Sequence, residues 1–432
     1  MESLTNDEKQ QRLTEELQIL QIMPRLRIAL PARPRGVAAM PANDRKLKLL
    51  DDIAMAVSTG ESGKTVAVVV QERDNRAVHF TLAVNGLPGP RDKAAAEQFF
   101  GSLLHPEEQF EVHMMNTIRS YAMPRIERLA KKVTDASEMF LGGGFIDLLE
   151  DCSWGPHKDQ LPGFEFMKTK LARLEGASMP TCLAMVFSHL HESAAKLSEP
   201  ANESAGGSPS HAKWINSIIL FAYYLARASV FSILASHPEC KGNTRFLSLF
   251  RYRLSMLGRY FGCLERLKAL VHYAGGNISW EWYCETGAGI VNDYPVTMRR
   301  SHLEIIRSGL PQWMDDDDRE EADMILGKEC PKYKKTVLVS THPALRLILG
   351  TRGSHLQLIG CSDGICLTTG EWIEEYNLAK KTEWRFGPSL RESDPSFALT
   401  HIFSFEDKVY DIVENMRGLA VNDEMRPRDH DY

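Results

Sequence analysis

The chain has 432 residues, 43% hydrophobic and 25% charged, an ordinary globular balance that excludes a mainly disordered or fibrous protein. Lys plus Arg number 51 and Asp plus Glu 57, a net charge of −6, which argues against a generally basic nucleic-acid binder while leaving room for a local basic patch. Eight cysteines are too few for a small disulfide-stapled scaffold, so the thiols are expected to be free or metal-bound.

Met1, Glu2, Ser3, Leu4, Thr5 and Asn6 do not give the basic and then apolar pattern of a secretory signal. An intracellular setting, cytoplasmic or nuclear, is expected. Residues 1–23 read as an exposed helix, charged first and apolar later at Leu17, Ile19, Leu20 and Ile22. Pro24 ends it, and the run from Pro31 through Pro34 to Gly36 prevents its continuation, so 1–45 is a helix with a linker. The segment 46–197 holds a helix over 49–57, a small hairpin and a long helical region. The hairpin strands are 65–70 and 77–84, with polar 72–76 between them. Helical patterning fills 92–197, broken at Gly142, Gly143 and Gly144. The Gly-, Ser- and Pro-rich stretch 198–211 reads as a flexible linker.

Residues 212–330 form a second helical region, with two long helices expected over 212–275, parted near Pro238 and Gly242. The apolar run 214–235 contains Asn216, Ser217, Arg227, Ser229 and Ser232, and an Arg near a bilayer centre costs roughly 2.5–3.5 kcal/mol. It reads as a buried helix, with no membrane partner. Within 241–270 there are seven Lys or Arg and one Glu, a local charge of +6. Its arginines Arg251, Arg253 and Arg259 alternate with Phe246, Phe250, Tyr252, Tyr260 and Phe261. That mixture suits nucleic acid, although aromatics at helical spacing equally suit a core. The stretch 313–330 carries eight acidic and two basic residues and reads as a solvated loop; an intramolecular contact with the basic helix is the alternative.

Two lookalike motifs fail on context. Thr59, Gly60, Glu61, Ser62, Gly63, Lys64 and Thr65 resemble a phosphate-binding loop. That loop needs a strand before it and a helix after it, whereas the order here is reversed. His189, Leu190, His191 and Glu192 resemble a metalloprotease helix, but position 195 is Ala, and residues two apart do not share a helix face.

The segment 331–421 is the most informative. A short strand over 336–339 precedes Thr341, a candidate helix cap, with Pro343 in the first turn, where its missing N–H is harmless. The helix stops at Gly350. A second strand, 356–360, leads to Ser362 or Asp363 as cap of a helix carrying Cys366, Trp372, Ile373 and Tyr376. If the two strands are neighbours, His342 and Cys366 start two helices at one sheet end, where neutral imidazole and thiolate could hold zinc. A last helix over 405–417 is capped by Ser404, with Val409, Ile412, Val413 and Met416 on one face, and 422–432 is a polar tail.

These residues resemble the zinc-dependent nucleotide and nucleic-acid deaminases, which carry His-x-Glu on one helix and Cys-x-x-Cys on the next. The likeness is to the deaminase-like branch found widely in fungi. Gly360, Cys361 and Ser362, followed by Cys366, match the second motif; Thr341, His342, Pro343 and Ala344 match the first. The helix and hairpin over 49–84 are similar to the start of such proteins. The resemblance implies a C-terminal three-layer α/β/α domain, a zinc ion and hydrolytic deamination. Two positions depart from it. Ala344 stands where the family's glutamate would shuttle protons, and a methyl group cannot act as acid or base. Thr369 replaces the last cysteine ligand. His342, Cys361 and Cys366 could still form a three-ligand site. Otherwise His342 is a capping or core histidine, Cys366 is a buried free thiol, and no cofactor is bound.

The expected fold is therefore α+β or mixed α/β. A largely helical N-terminal and middle region with a small β-hairpin precedes the deaminase-like domain. Three functions follow. The first is a catalytically degenerate deaminase-like pseudoenzyme that binds a protein, nucleotide or nucleic acid. The second is an active zinc deaminase with a rearranged site and a carboxylate drawn from Glu371 or Glu374. The third is a helical scaffold.

Overall fold

The computed structural model describes residues 5–23, 44–61, 63–72, 76–105, 107–171, 174–198, 209–285, 290–298, 300–308, 310, 316–329, 335–351, 357–387, 397–400, 406, 408–409 and 411–413. In chain order, α1 (Asn6–Ile22) and α2 (Arg45–Val57) precede β1 (Val66–Glu72) and β2 (Val78–Val84). Then come α3 (Pro90–Leu103), α4 (Glu107–Gly142), α5 (Phe145–Glu150), α6 (His157–Gln160), α7 (Phe164–Lys170) and α8 (Met179–Ser198). They are followed by α9 (Pro209–Leu225), α10 (Val230–Ser236), a 3-10 turn (Pro238–Asn243) and α11 (Thr244–Ala274). The remainder is β3 (Ile278–Trp282), β4 (Tyr294–Thr297), α12 (His302–Arg307), α13 (Asp316–Glu329), β5 (Thr336–Val339), α14 (Pro343–Gly350), β6 (Gln357–Cys361), α15 (Leu367–Lys380) and β7 (Trp384–Phe386). The chain is thus mixed α+β. It divides into two compact units, one of residues 1–58, 63–94 and 277–432 and the other of 59–62 and 95–276.

The first unit is built on a five-stranded mixed sheet of order β3-β2-β1-β6-β7. β1 and β2 form the expected hairpin, Val66 opposite Val84 and Glu72 opposite Val78. β1 is valine-rich on both faces, which suits a strand covered on both sides. Its free edge takes β6 antiparallel, with Ala67 opposite Cys361 and Val69 opposite Ile359. β3 adds parallel to β2, and β7 parallel to β6.

Helices cover both faces. α2 lies along β6 and β1. It comes so close that a Cβ on Gly360 would stand 2.3 Å from the Leu50 carbonyl carbon. Side chains alternate along a strand, so Ala67, Val69, Ile359 and Cys361 face away from α2. They share a core with Ala344, Leu345, Trp372 and Ile373 of α14 and α15.

Several expectations change here. The strand at 336–339, β5, does not neighbour β6. It pairs antiparallel with β4 in a separate two-stranded sheet, Val339 opposite Tyr294. The sheet next to α14 and α15 takes its central strands from the hairpin instead. α1 is not an exposed helix: Leu13, Leu17, Leu20 and Ile22 are fully buried in the first unit's core. Gln10 is buried with them because its amide accepts from the Leu399 N–H at 2.9 Å and donates to the Phe397 carbonyl at 2.9 Å. Thr5 and Glu8 close a capping box at its start. The acidic stretch is a helix over Asp316–Glu329, because Ala322 and Leu326, four apart, bury one face. The linker core 199–208, the turn at 73–75, the run 31–36, Ser404 and the tail 422–432 lie outside the described residues. Of the last helix, 406, 408–409 and 411–413 are described, with Val409 and Val413 buried.

The second unit is helical. α4 packs on α8, α8 on α9, α9 on α11 and α11 on α4, closing a four-helix arrangement. Phe140, Phe187, Phe231 and Phe250 fill it, with ring centroids as close as 4.4 Å for Phe140 and Phe187. A Cβ on Gly258 would meet the Tyr223 backbone at 2.4 Å, so glycine sets the crossing of α11 over α9. Residues 212–275 form three helices and a 3-10 turn instead of two helices. Among the described residues no single helix is long and apolar enough to cross a membrane; α9 and α10 pass only as a pair bent by 47°.

Candidate functional site

The motif residues sit at helix starts on the α14 and α15 side of the sheet. His342, and not Thr341, is the N-cap of α14. Its Nδ1 accepts from the Ala344 N–H at 3.2 Å, and Pro343 occupies the first turn. Thr341 serves a different contact: its Oγ1 accepts from the Val291 N–H at 2.8 Å, and its own N–H donates to the Val291 carbonyl at 3.0 Å. Ala344 is fully buried.

Cys366, and not Ser362 or Asp363, is the N-cap of α15, and its side chain makes no capping bond. Its Sγ lies 3.0 Å from the Thr369 Oγ1, so the threonine at the lost cysteine's position forms a hydrogen bond with the remaining sulfur. Thr369 is fully buried, so this contact is shielded from water.

The Gly360, Cys361 and Ser362 segment is held as a structural joint. Gly360 admits α2, and the Cys361 N–H donates to Asp51 Oδ1 at 2.8 Å. Ser362 Oγ accepts from the Val66 N–H at 3.1 Å, and its N–H returns a bond to the Val66 carbonyl at 2.9 Å. Burial pushes the Cys361 thiol well above its ordinary range, and Asp51, Asp363 and the neighbouring Cys366 push it the same way.

Zinc is the ion the resemblance implies, and two of the three candidate donors have hydrogen-bond partners of their own. His342 Nδ1 accepts a backbone N–H, and Cys366 is bonded to a neutral hydroxyl. Among the described residues no three His, Cys, Asp or Glu are grouped to hold a metal ion. Glu371 and Glu374 are half-buried on α15.

Arg346 is the residue that sequence reading passed over. It is 0% exposed, two positions beyond Ala344. Its Nε donates to the Thr341 carbonyl and its Nη2 to the Val291 carbonyl, each at 3.3 Å, and Nη2 also bonds Asn292 Oδ1. Among the described residues Nη1 has no hydrogen-bond partner. Burial lowers this guanidinium's pKa; Asp293 and then Tyr283 oppose that. The only sequence signal was a cation inside the apolar run 343–348.

The rejected lookalikes have structural roles. Lys64 pairs with buried Asp92 at 3.2 Å, in a turn that leads from α2 to β1. His189 Nε2 meets Ser217 Oγ at 3.0 Å on α9, while His191 meets the Thr134 carbonyl at 3.3 Å on α4, so the two diverge.

The three arginines of the basic helix are distributed unevenly. Arg251 is exposed and donates from Nε to the Ala226 carbonyl at 3.0 Å. Arg253 is half-buried and donates to the Lys132 carbonyl at 3.2 Å. Arg259 is half-buried. Phe250 and Tyr260 are fully buried and Phe246 stacks on Phe145, so these aromatics belong to the core. Tyr252 is exposed.

In comparisons with known proteins, no family model, no curated protein and no solved structure matches the chain.

Proposed function

We propose that the chain is a catalytically degenerate deaminase-like protein that works by binding a protein, nucleotide or nucleic acid. In this reading, β2, β1, β6 and β7, with α2 on one face and α14 and α15 on the other, are a deaminase-like α/β/α frame. The observation that carries it is the pairing at the two helix starts: Cys366 bonds Thr369, and Ala344 is buried behind the His342 cap. A hydroxyl hydrogen bond stands in for a second thiolate, and a methyl group stands where proton transfer needs a carboxylate. The frame is kept and the chemistry is gone.

Metal content by mass spectrometry tests this, with wild type beside His342→Ala and Cys366→Ala. Zinc far below one atom per chain in the wild type is expected, with no turnover of nucleosides, nucleotides or single strands. About one zinc per chain, lost in both variants, would overturn the reading and restore a hydrolytic site.

A further inference from the structure

We propose that the outer face of α11 is a binding surface for single-stranded nucleic acid. This stands independently of the deaminase-like reading, because it rests on the second unit alone. α11 packs on α4, α9, α10 and the 3-10 turn, and a stripe of its surface that includes 245, 249 and 252 is exposed. Arg245, Tyr252 and Arg259 recur every seven residues, so they stand above one another on that face, over about 21 Å. Arg245 is exposed, Arg259 half-buried, Tyr252 50% exposed and Leu249 45% exposed. From 240 to 264 the chain contains no Asp or Glu. The face is therefore cationic and partly apolar, with no acidic side chain of its own.

Both flanks add cations. The Arg253 bond to the Lys132 carbonyl brings exposed Lys131 and Lys132 of α4 alongside. The Arg251 bond to the Ala226 carbonyl brings exposed Arg227 from the other side, its guanidinium 3.6 Å from the Tyr223 ring centroid. Cations track a phosphate backbone, and an exposed aromatic ring among them offers a base a stacking surface. A duplex keeps its bases stacked inside and has no use for Tyr252 and Leu249. An acidic protein would answer the charge without a ring to stack on. A single strand uses both features, and the length of the face suits a few nucleotides.

The test is fluorescence anisotropy with the full chain and a fluorescein-labelled thymidine 20-mer, beside a duplex of equal length and labelled heparin. Preference for the single strand is expected, with affinity falling as salt rises. Arg245→Gln should flatten the slope of log affinity against log salt by about 0.7, one phosphate contact. Tyr252→Ala should weaken single-strand binding roughly tenfold and leave heparin binding unchanged. Lys328→Ala on α13 should change nothing. Circular dichroism melts establish that each variant is folded. No single-strand binding at low salt would overturn the proposal, as would equal affinity for duplex. Tyr252→Ala binding like wild type would also overturn it, and would leave a patch for acidic proteins.

Discussion

Arg346 gives the sharpest test of how the first unit holds together. Its guanidinium joins the start of α14 to the loop before β4 through Thr341, Val291 and Asn292. Hydrogen bonds from a charged donor contribute about 1.5–3 kcal/mol each, so three come to roughly 4.5–9 kcal/mol gross. Against this stand the desolvation of a buried cation, several kcal/mol, and the unbonded Nη1, about 1–3 kcal/mol. The two sides nearly cancel. Arg346→Met, which keeps most of the volume and removes the charge, should change stability by no more than about 2 kcal/mol. Arg346→Ala removes the volume as well, and the cavity should cost about 2–5 kcal/mol more than the Met variant. Arg346→Lys should fall between wild type and Ala, because a point charge cannot reach three acceptors placed for a fork. Hydrogen exchange across 341–350 reads this directly, since tenfold in opening corresponds to about 1.4 kcal/mol. The Ala variant should exchange roughly 30- to 4,000-fold faster than the Met variant. Equal exchange in the two would refute the view that packing around this side chain, more than its charge, holds the joint.

Gly360→Ala forces a Cβ to within 2.4 Å of the Asp51 backbone nitrogen, and urea unfolding should show a loss of about 3 kcal/mol or more as α2 is pushed off β6. Burial, followed by Asp51, Asp363 and Cys366, raises the Cys361 pKa, so the folded state holds this proton more tightly than the unfolded chain. The resulting stability is complete below about pH 8.5 and is lost as pH rises beyond it; Cys361→Ala should flatten that alkaline decline in pH-dependent denaturation. Burial lowers the His189 pKa, opposed by Glu192 and reinforced by Lys196. Its contribution is present above about pH 6.5 and is lost as pH falls through the folded value, so melting temperatures from pH 7 to pH 5 should decline less in His189→Gln than in wild type.

Local patterns were readable from the sequence and long-range pairings were not. The helix over 49–57, the hairpin strands and the helix starts near His342 and Cys366 all rest on periodicity, turn residues and Pro343, which act within a few positions. The partner of β6 was out of reach, because β1 lies almost 300 residues earlier and nothing near 357 marks it as the neighbour. The burial of α1 is not legible locally, because Gln10 looks solvated until the backbone at 397–399 answers it. α13 looked like a loop because charge hid Ala322 and Leu326. At the site, the substitutions at 344 and 369 were plain in the sequence. The Cys366 contact with Thr369 follows from their i, i+3 spacing, whereas Asp51 at the Cys361 N–H required the tertiary fold.

The way the sheet is stitched from distant strands has a consequence for synthesis. The hairpin leaves the ribosome early, and β6 follows about 270 residues later. At roughly 5–20 residues per second that is a wait of about 14–55 s. Through that interval the helices of 95–276, whose contacts are closer in sequence, can settle first, while one edge of β1 and the hairpin face that α14 later covers stay open. Truncation before 357 would leave that edge permanently open, so nascent chains of that length are where chaperone capture and aggregation should concentrate.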